Sequence, residues 1–297
     1  MDQAPKELFI RYTLTSMDYK VSDIMTKNPL CYTVPSSISE IIKILIKNNV
    51  TGIPIKNIQN KYQGIITRRD IFYKPDETQT ALVMRKAPTV NENDPVDVAA
   101  MQLYTQKKRH LAVVNDDNEI VGILTPQNFL NLIKEKYGKT KVKDVMEYSS
   151  VPCWEETPLS VALLMMNLSE IYSFPVVDKN VKFTGLITDR DIFDHVKMYE
   201  TIESTESGIA DDEDPWSWDG IKNVFTYFIA KSNIKVPDIP VKKLIVKDPQ
   251  VIYLESDLED AVKLMAQKNY NQLPVLTGHG DLYGMLYDIE IMKIFKD

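Results

Sequence analysis

The same short pattern occurs four times along this chain of 297 residues, always with the same internal spacing. In each copy a proline or alanine precedes a glycine by 10 residues, and an acidic or amide residue follows that glycine by 6. The four glycines are Gly64, Gly122, Gly185 and Gly284. The residues that follow them are Asp70, Asn128, Asp191 and Glu290. Spacing that holds over four copies indicates one structural unit used four times.

The hydropathy pattern within each unit changes in the same order. In the first unit a short strand precedes an amphipathic helix that begins at Ile38, and two strands at 53–55 and 63–67 follow it. A second, short helix then closes the unit. The equivalent first helices of the other units are predicted at 96–107, 159–168 and 258–268. Each unit is therefore predicted as β-α-β-β-α, and the fold class as α/β (α+β).

The size of the unit predicts how the units combine. A unit of about 50–60 residues cannot cover its own sheet with its own helices. We therefore expect adjacent units to pack in pairs, the first with the second and the third with the fourth, giving two modules. The predicted divisions are an N-terminal extension at 1–20, repeats at 21–79, 80–137, 138–198 and 241–297, and an insert at 199–240.

The insert combines an acidic run with two nearby tryptophans, Trp216 and Trp218. The apolar residues that follow, among them Phe225 and Phe228, predict a helix over 221–230. Two interpretations remain open. The insert is either an acidic loop before a helix that packs on the core, or an element that docks a partner through its tryptophans.

Composition limits the function classes. A net charge of −7 argues against a nucleic-acid binder, because such proteins need a basic face to neutralise phosphates. No apolar run approaches the ~20 residues of a membrane helix, so we expect a cytoplasmic protein without membrane contact. The chain has no glycine-rich phosphate loop, and its three histidines show no metal-ligand or triad spacing. We therefore predict no catalytic residue, no metal and no enzyme activity.

Three features together resemble a known family, that of the cystathionine-β-synthase-type (CBS) domains. They are the segment 21–26, the strand 174–177 and the repeated Gly-x-x-Thr-x-x-Asp tail. The resemblance extends to four-repeat members, which include stand-alone archaeal proteins and the γ subunit of AMP-activated protein kinase. It implies a disc-like assembly of two-repeat modules. It also implies clefts that bind AMP, ADP, ATP or, in some members, S-adenosylmethionine.

The tail of the repeat predicts the ligand-binding residues. A carboxylate at a helix start can accept hydrogen bonds from both ribose hydroxyls, and a threonine three residues earlier can cap the helix and contact a phosphate. The same residues also form a capping box, which needs no ligand. The two complete tails are Thr67, Arg68, Arg69 and Asp70 in the first repeat, and Thr188, Arg190 and Asp191 in the third.

The other two tails depart from this pattern. In the second repeat Thr125 is followed by Asn128, whose amide has no charge, and we expect weaker or altered binding. In the fourth repeat Tyr287 and Glu290 take these places. The tyrosine ring would occupy the position of the threonine hydroxyl, so we assign no ligand to this tail.

Further contacts are predicted outside the tails. Arg109 and His110 correspond to a phosphate-binding His-Arg pair in the kinase γ subunit, with the two residue types in reversed order. A solvated basic strand entry is the alternative for this pair. Apolar slots near Ile53, Leu111 and Phe174 are predicted to hold adenine.

The sequence thus predicts a non-catalytic sensor of energy state that binds AMP, ADP or ATP and needs no cofactor. Its partner is expected to be a kinase-like or metabolic enzyme, or a second copy of the chain. Three alternatives remain open: a module for S-adenosylmethionine or another adenosyl ligand, a scaffold that binds no nucleotide, and, as the weakest, an enzyme that turns over ATP or AMP.

Overall fold

The computed structural model describes residues 19–147, 150–195, 197–207 and 225–296. Its elements follow the predicted order in all four repeats, so the predicted fold class is confirmed. The first repeat comprises α1 (Val21–Ile24), β1 (Thr26–Lys27), β2 (Tyr32–Thr33), α2 (Ile38–Lys47), β3 (Gly52–Lys56), β4 (Tyr62–Thr67) and α3 (Arg68–Tyr73). The second comprises α4 (Thr80–Val83), β5 (Thr89–Asn91), α5 (Val96–Thr105), β6 (Leu111–Val114), β7 (Ile120–Leu124), a 3-10 turn (Pro126–Phe129) and α6 (Leu130–Tyr137).

The other two repeats have the same layout, with a β-hairpin between them. The third comprises α7 (Val142–Val145), β8 (Cys153–Trp154), α8 (Leu159–Ser169), β9 (Ser173–Val177), β10 (Phe183–Thr188) and α9 (Asp189–Asp194). The hairpin consists of β11 (Lys197–Ser207) and β12 (Phe225–Lys235). The fourth comprises a 3-10 turn (Val241–Lys243), β13 (Ile252–Tyr253), α10 (Leu258–Lys268), β14 (Gln272–Leu276), β15 (Leu282–Tyr287), α11 (Asp288–Ile291) and a 3-10 helix (Met292–Lys296).

Each repeat has the same small sheet. Its first strand runs parallel to the second, and the second pairs with the third in antiparallel register. The second repeat gains one more strand, because β1 of the first repeat pairs with β7, with Thr26 opposite Ile123. Similar crossings join Arg85 to Ile65 and Val246 to Leu186 through isolated bridges. The N-terminal segment of one repeat therefore lies against the third strand of its partner.

This crossing explains the four repeated glycines. A Cβ placed on Gly64 would lie 2.6 Å from the carbonyl oxygen of Arg85, and one on Gly185 would lie 2.4 Å from that of Val246. At Gly122 and Gly284 the nearest atoms belong to Met25 and Ser150, again in the partner repeat. Only a residue without a side chain lets the two repeats approach this closely.

Two apolar cores connect the modules. One joins the first and third repeats, where the rings of Phe72 and Phe193 meet edge to face with centroids 5.5 Å apart. The other joins the second and fourth repeats, where Phe129 and Phe295 make a similar contact at 5.5 Å. Adjacent repeats pair through their sheets, with β3 against β7 and β4 against β6. The helices thus pack across the two modules within one chain.

The predicted helix at 221–230 is wrong over 225–230, where the chain is a strand. Phe225 lies opposite Ser207 and Lys235 lies opposite Lys197, in unbroken antiparallel register. The physical reason is strand pairing: residues 225–235 contain three aromatic residues and two isoleucines, which also suit a strand, and residues 197–207 pair with them along their whole length. Trp216, Trp218 and the docking interpretation attached to them lie outside the described residues.

Candidate functional site

Four cavities lie between paired repeats, each beside the last residue of a repeat's third strand. We name them after the tail residue of that repeat. The Asp70 cleft has a volume of about 270 Å³ and borders Thr67. The Asn128 cleft measures about 280 Å³ and borders Thr125. The Asp191 cleft measures about 130 Å³ and borders Thr188. The Glu290 cleft measures about 300 Å³ and borders Tyr287.

In the Asp70 cleft the carboxylate is held on both oxygens. Thr67 donates to Oδ2 of Asp70 from its backbone nitrogen at 2.8 Å and from its hydroxyl at 2.6 Å. The Arg85 Nε donates to Oδ1 at 2.9 Å. The capping box predicted as an alternative role therefore exists. A ribose would have to displace Arg85 from Asp70 to use both carboxylate oxygens.

Cations dominate the walls of the Asp70 cleft. Arg69 stacks on Tyr172, with Cζ 4.5 Å from the ring centre, and its buried Nη2 has no hydrogen-bond partner among the described residues. The other cations that line the cleft are Arg85, Lys107, Lys108 and Arg109. Its carboxylates are Asp70, Glu170 and Asp189. This charge distribution favours a polyanionic ligand.

The predicted phosphate pair is largely engaged by protein groups. Arg109 donates from Nη2 to Oδ2 of Asp288 at 2.7 Å and from Nε to Oδ1 at 3.2 Å, and both side chains are buried. His110 Nε2 lies 2.7 Å from the Thr51 hydroxyl. Burial, with help from nearby Arg109 and Arg85, lowers the pKa of His110 to about 3. His110 is therefore neutral at physiological pH and offers no charge to a phosphate.

Arg68, also predicted to bind ligand, points away from the Asp70 cleft. It is 1% exposed, and its guanidinium carbon lies 5.1 Å from the centre of the Phe193 ring in the third repeat. Its Nε and Nη1 have no hydrogen-bond partner among the described residues. Burial lowers the pKa of Arg68, and Asp189 acts in the opposite direction. The structure places Arg68 in the contact between α3 and α9.

In the Asp191 cleft the carboxylate keeps one oxygen unpaired. Thr188 donates to Oδ2 from its backbone nitrogen at 2.8 Å and from its hydroxyl at 2.6 Å. Among the described residues, none donates a hydrogen bond to Oδ1, and burial raises the pKa of Asp191. Arg190 also lines this cleft, together with neutral side chains that include Asn271. The predicted residues Thr188, Arg190 and Asp191 are thus brought together.

In the second repeat the Asn128 amide is used on both sides. Its Oδ1 accepts from the Thr125 backbone nitrogen at 2.8 Å and from the hydroxyl at 3.0 Å. Its Nδ2 donates to the Ile24 carbonyl at 3.0 Å and to the Thr26 hydroxyl at 3.1 Å. The amide therefore joins the first repeat to the second by hydrogen bonds. Little of its hydrogen-bonding capacity remains for a ligand.

The fourth repeat differs most. The hydroxyl of Tyr287 donates to the Ser173 carbonyl in the third repeat at 2.8 Å. Glu290 is 5% exposed, and its Oε2 lies 3.3 and 3.4 Å from the backbone nitrogens of Glu147 and Tyr287. Burial raises the pKa of Glu290 to about 8. None of the described residues donates a hydroxyl hydrogen bond to Glu290, in contrast to Asp70 and Asp191.

One position in the partner repeat determines the character of each cleft, and the sequence analysis missed it. It is the residue after the segment that opens a repeat, and it faces the tail of the paired repeat. The pairs are Arg85 with Asp70, Thr26 with Asn128, Val246 with Asp191, and Glu147 with Glu290. The spacing of the repeats could have identified this position, because all four residues precede the repeated glycine by 37 or 38 residues, yet one is basic, one is acidic and two are neutral.

The three residues predicted to contact adenine lie in different places. Ile53 lines the Asn128 cleft, beside Thr51 and His110. Leu111 and Phe174 are fully buried in the two cores and line none of the four clefts. Leu111 and Phe174 therefore pack in the cores, and other residues form the cleft walls.

Two other classes of feature are absent from the described part of the chain. No group of three or more histidine, cysteine, aspartate or glutamate side chains there could hold a metal ion. In the same residues, no helix has the length and apolarity needed to cross a bilayer.

Comparison with known proteins identifies relatives over most of the chain. MJ1225 of Methanocaldococcus jannaschii is 24% identical in an alignment of 206 residues, and the match covers 63% of this chain and 73% of MJ1225. Its crystal structure, described as that of a proposed archaeal homologue of γ-AMPK, superimposes with a TM-score of 0.74 over 93% of this chain and all of that one. The identity in that alignment is 16%. It therefore supports the fold alone.

Two further relatives have a similar extent. A conserved protein from Pyrococcus horikoshii superimposes with a TM-score of 0.62 at 24% identity, over 93% of this chain and all of that one. MJ1404 of M. jannaschii is 24% identical over 285 residues, and the match spans 93% of this chain but only 62% of MJ1404.

A family model identifies the repeat itself. The model of the CBS domain matches residues 21–77, 81–135, 142–197 and 241–297. These matches cover well over half of the chain and coincide with the four structural repeats. The chain therefore belongs to the CBS domain family, of which it carries four copies.

Proposed function

We propose that this chain is a non-catalytic, cytoplasmic regulatory protein that binds adenine nucleotides in the clefts between paired repeats. The observation that carries the proposal is the state of Asp191. Its Oδ2 is fixed by Thr188, none of the described residues donates a hydrogen bond to its Oδ1, and its side chain lines the cleft. A fixed carboxylate with one open oxygen can accept hydrogen bonds from ribose hydroxyls without first breaking an ion pair.

The Asp70 cleft supports a ligand with more phosphates. Arg69 carries a buried N–H without a partner, and Lys107 and Lys108 line the same walls. Arg85 can exchange the Asp70 carboxylate for a phosphate when ribose takes that carboxylate. We propose that ATP or ADP prefers this cleft and that AMP, with its smaller charge, suits the Asp191 cleft.

Unequal binding in the clefts supplies the means of regulation. The Asp70 cleft is built from residues of both modules, since Glu170, Tyr172 and Asp189 of the third repeat line it beside Arg69 and Arg109. A ligand that engages more of these cations changes the contacts between modules. It can shift the conformation only by binding two states with different affinities. The regulated partner is proposed to be a kinase-like or metabolic enzyme, or a second copy of the chain.

The test is a calorimetric titration of AMP, ADP, ATP and S-adenosylmethionine into the full chain and its Asp70→Asn and Asp191→Asn variants. Asparagine is the matched substitution, because Asn128 keeps the same capping contacts with Thr125. Glu135→Gln, at an exposed carboxylate on α6, is the control.

We expect micromolar binding of AMP that the Asp191→Asn variant loses, with weaker ATP binding in the Asp70→Asn variant. Unaltered AMP affinity in both variants would contradict the proposal. Binding of S-adenosylmethionine alone would replace it with the adenosyl-ligand alternative. If none of the four ligands binds, the scaffold alternative remains.

A further inference from the structure

The Glu290 cleft has a chemistry unlike that of the other three. Apolar and aromatic groups form most of its wall: Tyr104, Ile171, Tyr172, Tyr287 and Ile289. Its volume of about 300 Å³ is that of a small-molecule pocket. A flat apolar group can enter between such side chains, as ligands commonly do in pockets of this size.

The polar groups of this cleft are mainly acidic. Glu147, Glu170 and Glu290 line it, and the cation among its lining residues is Lys107, which is exposed. Glu170 already faces Lys108, with 3.7 Å between Oε1 and Nζ. A phosphate in this cleft would lie beside the carboxylates of Glu147 and Glu170, with one exposed lysine to offset them. Like charges at such distances disfavour binding, so this cleft selects against nucleotides.

Glu290 is the group that points to a ligand. Its side chain is 95% buried, given its 5% exposure, yet it lines the cavity. Its Oε2 has two long contacts with backbone nitrogens, whereas Oε1 has no donor among the described residues. Tyr287 cannot supply one, because its hydroxyl is bonded to Ser173. An oxygen of a largely buried carboxylate that has no protein donor can accept a hydrogen bond from a ligand, and a charged N–H group is the donor that stabilises it best.

We propose that the Glu290 cleft binds an organic cation, an ammonium group attached to a flat apolar body, with the ammonium on Glu290 and Glu147 and the body between the tyrosines and isoleucines. This site goes beyond the proposed nucleotide function and does not depend on it. The chain would then respond to two chemically different ligands, an anion in the first or third repeat and a cation in the fourth.

Binding of a cation in this cleft should also change the protonation of Glu290. Burial raises the pKa of Glu290, the backbone N–H groups of Glu147 and Tyr287 lower it, and the charges of Glu147 and Lys293 have smaller, opposite effects. Tyr104, which donates to Oε1 of Glu147 at 2.5 Å, and Lys107 at the mouth also face this region. A cation that pairs with Glu290 favours its ionised form. Binding near pH 7 should therefore release a proton from this carboxyl.

The experiment uses two probes that differ mainly in charge. Tryptamine and indole-3-propionate share an indole ring and a two-carbon arm, but tryptamine ends in an ammonium and indole-3-propionate in a carboxylate. Each is titrated calorimetrically into the full chain at pH 7, in two buffers with different ionisation enthalpies. We expect tryptamine to bind at one site with release of a fraction of a proton, and indole-3-propionate not to bind.

The variants separate this proposal from the nucleotide function. Glu290→Gln should weaken tryptamine binding at least tenfold and abolish proton release, while AMP binding and the unfolding midpoint confirm that the variant is folded. Asp191→Asn should leave tryptamine binding unchanged, and Glu135→Gln serves as the surface control. Absence of tryptamine binding, equal binding of both probes, or an unchanged tryptamine affinity in Glu290→Gln would each overturn the proposal, whatever happens to AMP.

Discussion

Arg109 of the second repeat forms a buried ion pair with Asp288 of the fourth, with 2.7 Å between Nη2 and Oδ2. Arg109 is 8% exposed and Asp288 is 1% exposed, so water screens neither charge. The pair joins the two modules, and the same guanidinium lies 5.1 Å from the centre of the Tyr172 ring. A residue that the sequence assigned to phosphate binding is thus first a connection between modules.

This ion pair predicts an asymmetric mutational result. Arg109→Met alone should lower the free energy of unfolding by about 3–5 kcal/mol, because it leaves the Asp288 charge buried and unpaired. The double variant Arg109→Met/Asp288→Leu should recover most of that loss, because both charges are removed. Denaturant unfolding of the full chain measures both. Lys139→Met, at an exposed partner of Asp257, is the control and should leave the midpoint nearly unchanged.

The crossing between repeats predicts the effect of a single methyl group. Gly64→Ala places a Cβ 2.6 Å from the Arg85 carbonyl oxygen, so β4 and the partner segment must separate. We expect a loss of about 1–3 kcal/mol in the free energy of unfolding, as in other overpacked sites. Gly278→Ala is the matched control, because nothing lies within 4 Å of its added Cβ. Equal stability of the two variants would contradict the close approach.

The contact between Arg85 and Asp70 predicts opposite effects on two ligands. Arg85→Gln removes the cation that competes with ribose for Asp70, so adenosine should bind several-fold more tightly. The same change removes a cation available to phosphates, so ATP affinity should fall about tenfold, the loss of one charged hydrogen bond. Calorimetric titration measures both affinities. A parallel fall for both ligands would show that Arg85 acts on the ribose site only through structure.

Glu290 predicts a pH dependence of stability. Its pKa is raised from 4.5 to about 8 in the folded chain, so between these values the folded state keeps a proton that the unfolded state has released. The free energy of unfolding should therefore fall as the pH rises through this window, by about 1.4 kcal/mol per pH unit for one proton.

The measurement belongs between pH 6.5 and 7.5. The lowered pKa of His110, about 3, makes stability fall toward acid below its ordinary value of 6.5, which would mask the effect of Glu290 at lower pH. Unfolding midpoints of the full chain and of Glu290→Gln are compared across this range. The variant should show a flatter profile, and an identical slope in both proteins would contradict the raised pKa.

Local patterns carried most of the fold. Helical spacing predicted α2, α8 and α10, and the helix bounds differ from the structure by at most a residue or two. These elements form because neighbouring residues along the chain decide which face is apolar. The helix predicted in the insert is wrong over 225–230 for a related reason. Residues 225–230 have apolar residues compatible with a helix, but strand pairing with 197–207 decided their conformation.

The candidate site was only half visible in the sequence. The tails with Asp70 and Asp191 were identified because the glycine that precedes each has a fixed spacing. The ion pairs of Asp70 with Arg85 and of Arg109 with Asp288 were not predicted, since their partners are 15 and 179 residues apart along the chain. The engagement of Arg109 and His110 by Asp288 and Thr51 follows from such long-range contacts alone.

By itself the sequence determined that four equivalent units exist, what each unit folds into, and where its tail begins a helix, because these depend on spacing within about sixty residues. Only the tertiary structure decided that the helices of the first repeat pack on the third and those of the second on the fourth. The helices of the four repeats have similar apolar faces, so several pairings would bury similar apolar area. The sequence pattern therefore does not identify which pairing forms. The same packing decided which side chain of the partner repeat faces each tail, an arginine at Asp70 and a glutamate at Glu290.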